Sequence, residues 1–327
     1  MSCYYSHCSI SFKHKYSTFC AFQVDPLCEF EESILPSQIF NSKGFNKTRK
    51  MLDNNSWPSG CDHCRIPESK DLKSSRQDHE LQHKNLERVE IRFSNACNMA
   101  CLHCSPEYSS LWAKKLNYSG PTLGLTSEQV LLICEDLKNI STIRRIVLSG
   151  GEPLVNKNFY KCLEVLSEHS HANEIVLSFH TNLNPGRSIN FDYLNEALKK
   201  FKEAYMVVSV DGGKKLYPIF RGGDWNILLS NIEKAVQMDI NVDGTMSLTT
   251  YQMDDIINCY LDVLPLGFRE LRTMYVSTPK NLDPKHSATK KNMKDFDYVL
   301  NHIENNYSGS LRDSSLWYLN ICKERLI

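Results

Sequence analysis

Three cysteines are spaced to do chemistry together. Cys97, Cys101 and Cys104 stand in SNACNMACLHC as C-x3-C-x2-C, directly after VEIRFS at 89–94. Three thiolates are an unusual ligand number. Structural zinc takes four closed ligands, whereas three cysteines on a four-iron cluster leave one iron open for an outside ligand. A zinc completed by His103 is the competing reading, but His103 lies between two of the ligands, where its ring is badly placed for the same metal. A second motif, Gly150-Gly151-Glu152-Pro153, follows RRIVLS at 144–149. Glycines let the backbone approach a ligand closely, a carboxylate there can pair with an ammonium, and proline fixes the turn. Alone, GGEP is only a strand-end turn. Ser209 and Asp211 in VVSVDGG place short polar groups where ribose hydroxyls are held in dinucleotide sites. Thr181 and Asn182 end a third apolar run. Arg221, in FRGGDW, reads as solvated with a substrate contact as the alternative, and Trp225 as a core residue at a helix start rather than a ligand contact.

The other cysteines divide into two sets. Cys8, Cys20, Cys61 and Cys64 are spaced C-x11-C-x40-C-x2-C, and the pair in WPSGCDHC is a metal knuckle used by zinc and iron alike. Cys3 and Cys28 are spare candidates for that set, which can be permuted. A zinc knuckle and unliganded thiols are the alternatives. Cys134, Cys162, Cys259 and Cys322 sit in apolar segments and read as small hydrophobes.

The elements that position these residues follow from periodicity. Strands are expected at 89–94, 144–149, 174–182, 204–211, 240–249 and 270–278. Helices are expected at 109–117, 127–140 (with Ser127 as N-cap), 159–170, 191–201, 225–238, 254–264 and 293–305. Strands alternating with helices at this spacing predict an α/β fold with a parallel sheet, an open sheet and a partial barrel being equivalent by periodicity. The cysteine triad then lies at the C-terminal end of the first strand, the end where such folds keep their sites. Before residue 65 only 37–53 looks helical, and 65–86 reads as a polar, partly helical connector.

The triad and GGEP together resemble the signature of the radical S-adenosylmethionine (SAM) enzymes. The resemblance implies a partial (β/α)6 TIM-like barrel over 87–280. It implies a 4Fe-4S cluster on Cys97, Cys101 and Cys104 whose open iron binds SAM. Reductive cleavage of SAM then yields a 5′-deoxyadenosyl radical that takes a substrate hydrogen. It implies SAM contacts from His103, Gly150, Gly151, Glu152, Pro153, Thr181, Asn182, Ser209 and Asp211. Two departures stand out: His103 replaces a common aromatic residue before the third cysteine, and Leu183 replaces the glycine of a T-N-G segment. The block IFNSKGFNKTRKMLDNNSWPSGCDHC resembles the region ahead of the barrel in proteins with a twitch domain, a shortened SPASM relative. That implies a second iron–sulfur cluster on Cys8, Cys20, Cys61 and Cys64 within a Cys-rich module and connector at 1–86, with a C-terminal cap at 281–327. It also implies an external electron donor such as flavodoxin or ferredoxin, and a peptide or protein substrate, with a sugar or other small metabolite as the alternative. No catalytic residue is assigned.

Composition narrows the classes. Lys+Arg and Asp+Glu are both 38, so the formal charge is zero, which disfavours a nucleic-acid binder. No apolar run is long enough for a membrane span or a secretory signal, so a cytoplasmic protein is expected. Thirteen cysteines without a signal point to metal or redox use in a reducing compartment. A non-catalytic iron–sulfur electron carrier is the rival class, but it has no use for a vacant iron.

Overall fold

The computed structural model describes residues 3–13, 15–23, 25–71, 73–77, 81–122, 124–276 and 280–326. The chain packs as two units, the first made of Met1–Asn95, Gly120–Ser178 and Ala197–Glu203, the second of Ala96–Ser119, Phe179–Glu196 and Ala204–Ile327.

The first unit holds β1 (Ser9–Phe12), β2 (Tyr16–Thr18), β3 (Cys28–Glu29), β4 (Arg88–Arg92) and β5 (Arg145–Ser149), in the order β3-β2-β1-β4-β5. β1 runs parallel to β4, with Phe12 opposite Ile91, and β4 runs parallel to β5, with Ile91 opposite Leu148. β2 and β3 are antiparallel additions. The middle three residues of β4 and β5 are buried on both faces, which is why both runs are apolar rather than alternating. The three N-terminal strands were not expected from sequence. SISF carries two serines, yet all four of its residues are buried, so its polarity concealed a core strand. The helix expected at 37–53 is two, Pro36–Ile39 and Lys43–Asp53, and the connector carries the helix Asp62–Glu68 and a short turn at Ser75–Gln77.

Helix Ser127–Lys138 is capped by Thr126, one residue before the expected cap. Thr126 Oγ1 accepts the Gln129 N–H at 3.1 Å, and Gln129 Oε1 accepts the Thr126 N–H at 2.9 Å. The glutamine three residues on makes Thr126 the better cap, because both orphan N–H groups are satisfied reciprocally. Ser127 instead donates to Asn158 Oδ1.

β6 (Val176–Thr181) carries the chain from the first unit into the second, which adds β7 (Glu203–Ser209), β8 (Asn241–Leu248) and β9 (Leu271–Tyr275). β7, β8 and β9 are mutually parallel. Helices alternate with these strands as predicted. The expected helix at 254–264 is Ile256–Val263, preceded by a separate short helix, Thr250–Met253, that was not expected. The expected last strand stops at Tyr275, and its positions 277–278 lie outside the described residues. Helix Gly213–Arg221 was hidden by its glycine start and internal Pro218. The C-terminal segment holds two long helices, Lys290–Asn306 and Gly309–Leu326, the second packed on β9 with Cys322 Sγ donating to the Thr273 carbonyl. Among the described residues no helix is long and apolar enough to cross a membrane.

Replacing Thr126 by Ala removes one half of the capping box and should cost about 1 kcal/mol. Urea unfolding would show it as a lower midpoint at unchanged slope.

Candidate functional site

The cysteine loop belongs to the second unit and is held almost entirely through its backbone. The Ser110 hydroxyl spans both polar backbone groups of Cys97, at 3.1 Å each. Ser109 donates to the Met99 carbonyl at 2.6 Å and its oxygen caps helix Ser110–Lys115. Trp112 Nε1 donates to the Cys101 carbonyl at 2.8 Å. From the far side, the Leu102 N–H donates to the Phe220 carbonyl at 2.9 Å, and Cys101 Sγ lies 3.8 Å from the Arg221 carbonyl. The backbone is thereby shaped while the sulfurs take no part in any disulfide. Cys101 is buried, and Cys97 and Cys104 are half-buried. Burial, reinforced by Cys101, pushes the Cys104 thiol up to about 11. The Cys104 thiol therefore keeps its proton at neutral pH and would lose it to solvent on binding a metal.

His103 stacks on Phe220, ring centroids 5.0 Å apart and nearly parallel. Burial lowers its pKa, and Nδ1 is a buried atom without a hydrogen-bond partner. The neutral ring thus keeps one polar atom in reserve beside the cysteines.

Asp211 and Arg221 form a buried ion pair, Nη1 to Oδ2 2.5 Å, with side chains 2% and 9% exposed. The other Asp211 oxygen accepts the Ser247 N–H. Burial pushes the Asp211 carboxyl up, but Arg221, His103 and that N–H outweigh it and hold the pKa below its ordinary value. Arg221 is therefore not the solvated loop residue its glycine-rich context suggested, and both Asp211 oxygens are engaged inside the protein. Ser209, half-buried, ends β7 opposite Thr245.

Thr181 and Asn182 are buried in a network of amides. Thr181 Oγ1 accepts the Leu183 N–H at 2.9 Å. Asn182 Oδ1 accepts the Asn184 N–H at 2.8 Å, and its Nδ2 donates to Asn98 Oδ1 at 3.1 Å. Asn98 in turn donates to the Asn184 carbonyl at 2.7 Å. Asn98 sits between Cys97 and Cys101, so this network ties the end of β6 to the loop. Asn98 and Asn184 were not anticipated, as isolated asparagines carry no spacing signal. Leu183 has φ +49°, a left-handed conformation that favours glycine, and its side chain is fully buried.

The GGEP turn lies in the first unit. Gly150 has φ +135°, and a Cβ there would stand 2.8 Å from the Ser94 carbonyl oxygen. The Gly151 N–H donates to that same oxygen at 2.6 Å. The glycine is thus required by the passage of one chain over another at the end of β4. Glu152, 1% exposed, caps the turn Pro153–Val155 by accepting the Leu154 N–H at 3.0 Å.

The first unit also contains a recess that gathers four of the N-terminal cysteines. Cys3, Cys20, Cys61 and Cys64 line it, with Phe19, Trp57 and Arg76 among their neighbours, and Cys8 does not. Cys8 Sγ donates to the His83 carbonyl at 3.0 Å and is fully buried elsewhere. The reason is helical. Cys3 caps and Cys8 ends the helix Tyr4–Cys8, and five residues at 100° each set them about 140° apart, so only one can face the recess. Phe22 and His63 stack at 3.7 Å, both on the recess lining. Burial pushes Cys20 and Cys61 up to about 12, and for Cys61 the nearby Cys20, Cys3 and Cys64 add to it.

Among the described residues no three His, Cys, Asp or Glu side chains converge as a single metal ion requires. A tetrahedral zinc at about 2.3 Å from each sulfur would draw four thiols to within roughly 4 Å of one another. Four free cysteines spread around a recess suit a polynuclear cluster, where each thiolate takes its own iron. The loop of Cys97, Cys101 and Cys104 likewise offers soft thiol donors, the kind an iron–sulfur cluster takes.

Parallel strands alternating with helices, with three cysteines in the loop that follows β4 in the chain, define an α/β protein of the partial-barrel kind. The chain belongs to the radical SAM superfamily, whose family model matches residues 91–263. It is similar to GTP 3′,8-cyclase of Campylobacter lari, 25% identical over 231 residues, covering 68% of this chain and 64% of that one. It is also similar to the GTP 3′,8-cyclase of Clostridium botulinum strain Hall, 22% identical over 208 residues, 59% of this chain and 60% of that one. The chain thus spans less than two thirds of these relatives. Among solved structures, native anSMEcpe with bound AdoMet superposes with a TM-score of 0.52 at 18% identity, covering 67% of this chain and 61% of that one. The same protein with AdoMet and the Cp18Cys peptide gives 0.51 at 19%, covering 69% and 63%. This likeness shows the fold, the partial barrel predicted from sequence.

Gly150→Ala should destabilise the protein by about 2–3 kcal/mol, since a side chain at this φ is strained and meets the Ser94 oxygen. The loss is read as a lowered urea midpoint.

Proposed function

We propose that this protein is a radical SAM enzyme carrying two iron–sulfur clusters and acting on a peptide or protein. The observation that carries the reading is the loop of Cys97, Cys101 and Cys104. Three thiols stand within eight residues on a backbone held from both sides by Ser110, Trp112 and Phe220. These cysteines would hold a 4Fe-4S cluster. When bound, that cluster and SAM supply one-electron cleavage of a carbon–sulfur bond and a carbon radical able to remove hydrogen from an unactivated C–H group. The chain's own residues bind and orient. The stacked, neutral His103 presents a flat apolar surface beside the loop. In the second unit Thr181, Asn182 and Ser209 would offer polar atoms at the ends of β6 and β7 to SAM. The buried Leu183 and Phe220 keep water from the strand ends.

The second cluster is assigned to Cys3, Cys20, Cys61 and Cys64. Four cysteines ligate it fully, which suits electron transfer or a structural role. Residues 1–86 then form the auxiliary-cluster module, 87–280 the barrel and 281–327 a cap. A flavodoxin or ferredoxin would supply electrons in the cytoplasm. The peptide substrate is supported by the fold shared with anSMEcpe, which has been solved with a peptide bound. A nucleotide or other small metabolite is the second reading, favoured by the sequence similarity to GTP 3′,8-cyclases.

Anaerobically reconstituted protein given SAM and dithionite should form 5′-deoxyadenosine, and the Cys97→Ala/Cys101→Ala/Cys104→Ala variant should form none. Absence of the product from iron-loaded wild-type protein sinks the reading. In that triple variant about four irons per chain should remain. Adding Cys3→Ala should remove or destabilise them, while adding Cys8→Ala should leave them in place. Zinc in their stead would make the module structural. Deuterium appearing in 5′-deoxyadenosine from a labelled peptide, or from a labelled nucleotide, separates the two substrates.

A further inference from the structure

The Asp211–Arg221 pair calls for an explanation beyond packing. Two buried charges lose more hydration than their attraction restores, and an apolar pair of the same shape is often as stable. The pair also sits against the cysteine loop. The Arg221 carbonyl faces Cys101 Sγ, the preceding Phe220 carbonyl holds the Leu102 N–H, and the Phe220 ring carries His103. Arg221 Nε is a buried donor with no partner, so the guanidinium is not consumed by its internal bonds.

We infer that Arg221 and Asp211 are positioning residues that set the reduction potential of the cluster on Cys97, Cys101 and Cys104. This rests on the cluster assignment proposed above. A cluster with three thiolates becomes more negative by one charge on reduction. A fixed cation in a buried, weakly screened site stabilises the reduced state, and a fixed anion opposes it. Arg221 therefore raises the potential and Asp211 restrains the rise. The pair presents a dipole to the loop rather than a bare charge, and the two members act with opposite signs.

The test is an EPR-monitored redox titration of the full-length, iron-loaded protein, following the reduced-cluster signal that changes when SAM is added. That change distinguishes this cluster from the one on the N-terminal cysteines. Arg221→Met should lower the reduction equilibrium about tenfold, which is 59 mV for a one-electron couple. Asp211→Asn should raise it by about threefold or more. The double variant should return close to wild type, and Arg221→Lys, which keeps the charge, should stay there. Shifts of the same sign in Arg221→Met and Asp211→Asn would signal general loosening of the loop and overturn the inference, as would no shift in either. If Arg221→Met fails to retain iron, Asp211→Asn decides alone: an upward shift supports the inference, and a downward or absent one overturns it. A wild-type protein with no SAM-sensitive signal would refute the cluster assignment itself, before any variant is made.

Discussion

The second unit turns on two backbone hydrogen bonds made to opposite edges of one loop. Trp112 reaches the Cys101 carbonyl from the following helix, and the Phe220 carbonyl takes the Leu102 N–H from the end of another. A loop whose three thiols are to serve as ligands cannot be shaped by those side chains. Its conformation has to come from the main chain and from neighbours that satisfy it. Ser109, Ser110, Asn98 and Phe220 are such neighbours, and none of them is a sulfur ligand. The Asp211–Arg221 pair and the His103 stack are then anchored to the same two edges.

The two cysteine groups solve the same problem by different means. The loop of the second unit collects its three thiols within eight residues, so local turns fix their relation. The recess of the first unit draws Cys3 and Cys20 from the N-terminal segment and Cys61 and Cys64 from the start of a helix. There the alignment is tertiary, supported by β1 pairing with β4 and by the Phe22–His63 stack. Raised thiol pKa values in both places have the common cause of burial.

How much of this was legible in the sequence depends on the range over which each signal acts. The triad, GGEP and the strand–helix alternation are local patterns, and the structure places them where periodicity put them. Thr126 displaced Ser127 as cap because the deciding atom belongs to Gln129, and the reciprocal bond outranks residue preference. Cys3 lines the recess and Cys8 does not, because spacing counts residues, whereas a lining depends on which face of a five-residue helix a residue takes. Arg221 looked solvated in FRGGDW because its partner, Asp211, lies across a helix that glycine and proline disguised. The N-terminal strands escaped notice because burial on both faces removes alternation, and serines removed the apolar run as well. Leu183 is the opposite case. Its departure from glycine was visible, but only the structure shows a left-handed backbone kept by a side chain sunk in the core.

The distance along the chain between Cys101 and Arg221 has a consequence for biosynthesis. The two are 120 residues apart. At ribosomal rates of about 5–20 residues per second, the cysteine loop emerges on the order of ten seconds before the segment that gives it its shape. During that interval the three thiols are exposed on an unformed loop. Iron delivered early would meet flexible cysteines with no preference among them. Correct loading therefore belongs after translation of the helix at Gly213–Arg221, and the nascent chain is most vulnerable to oxygen and stray metal before that point.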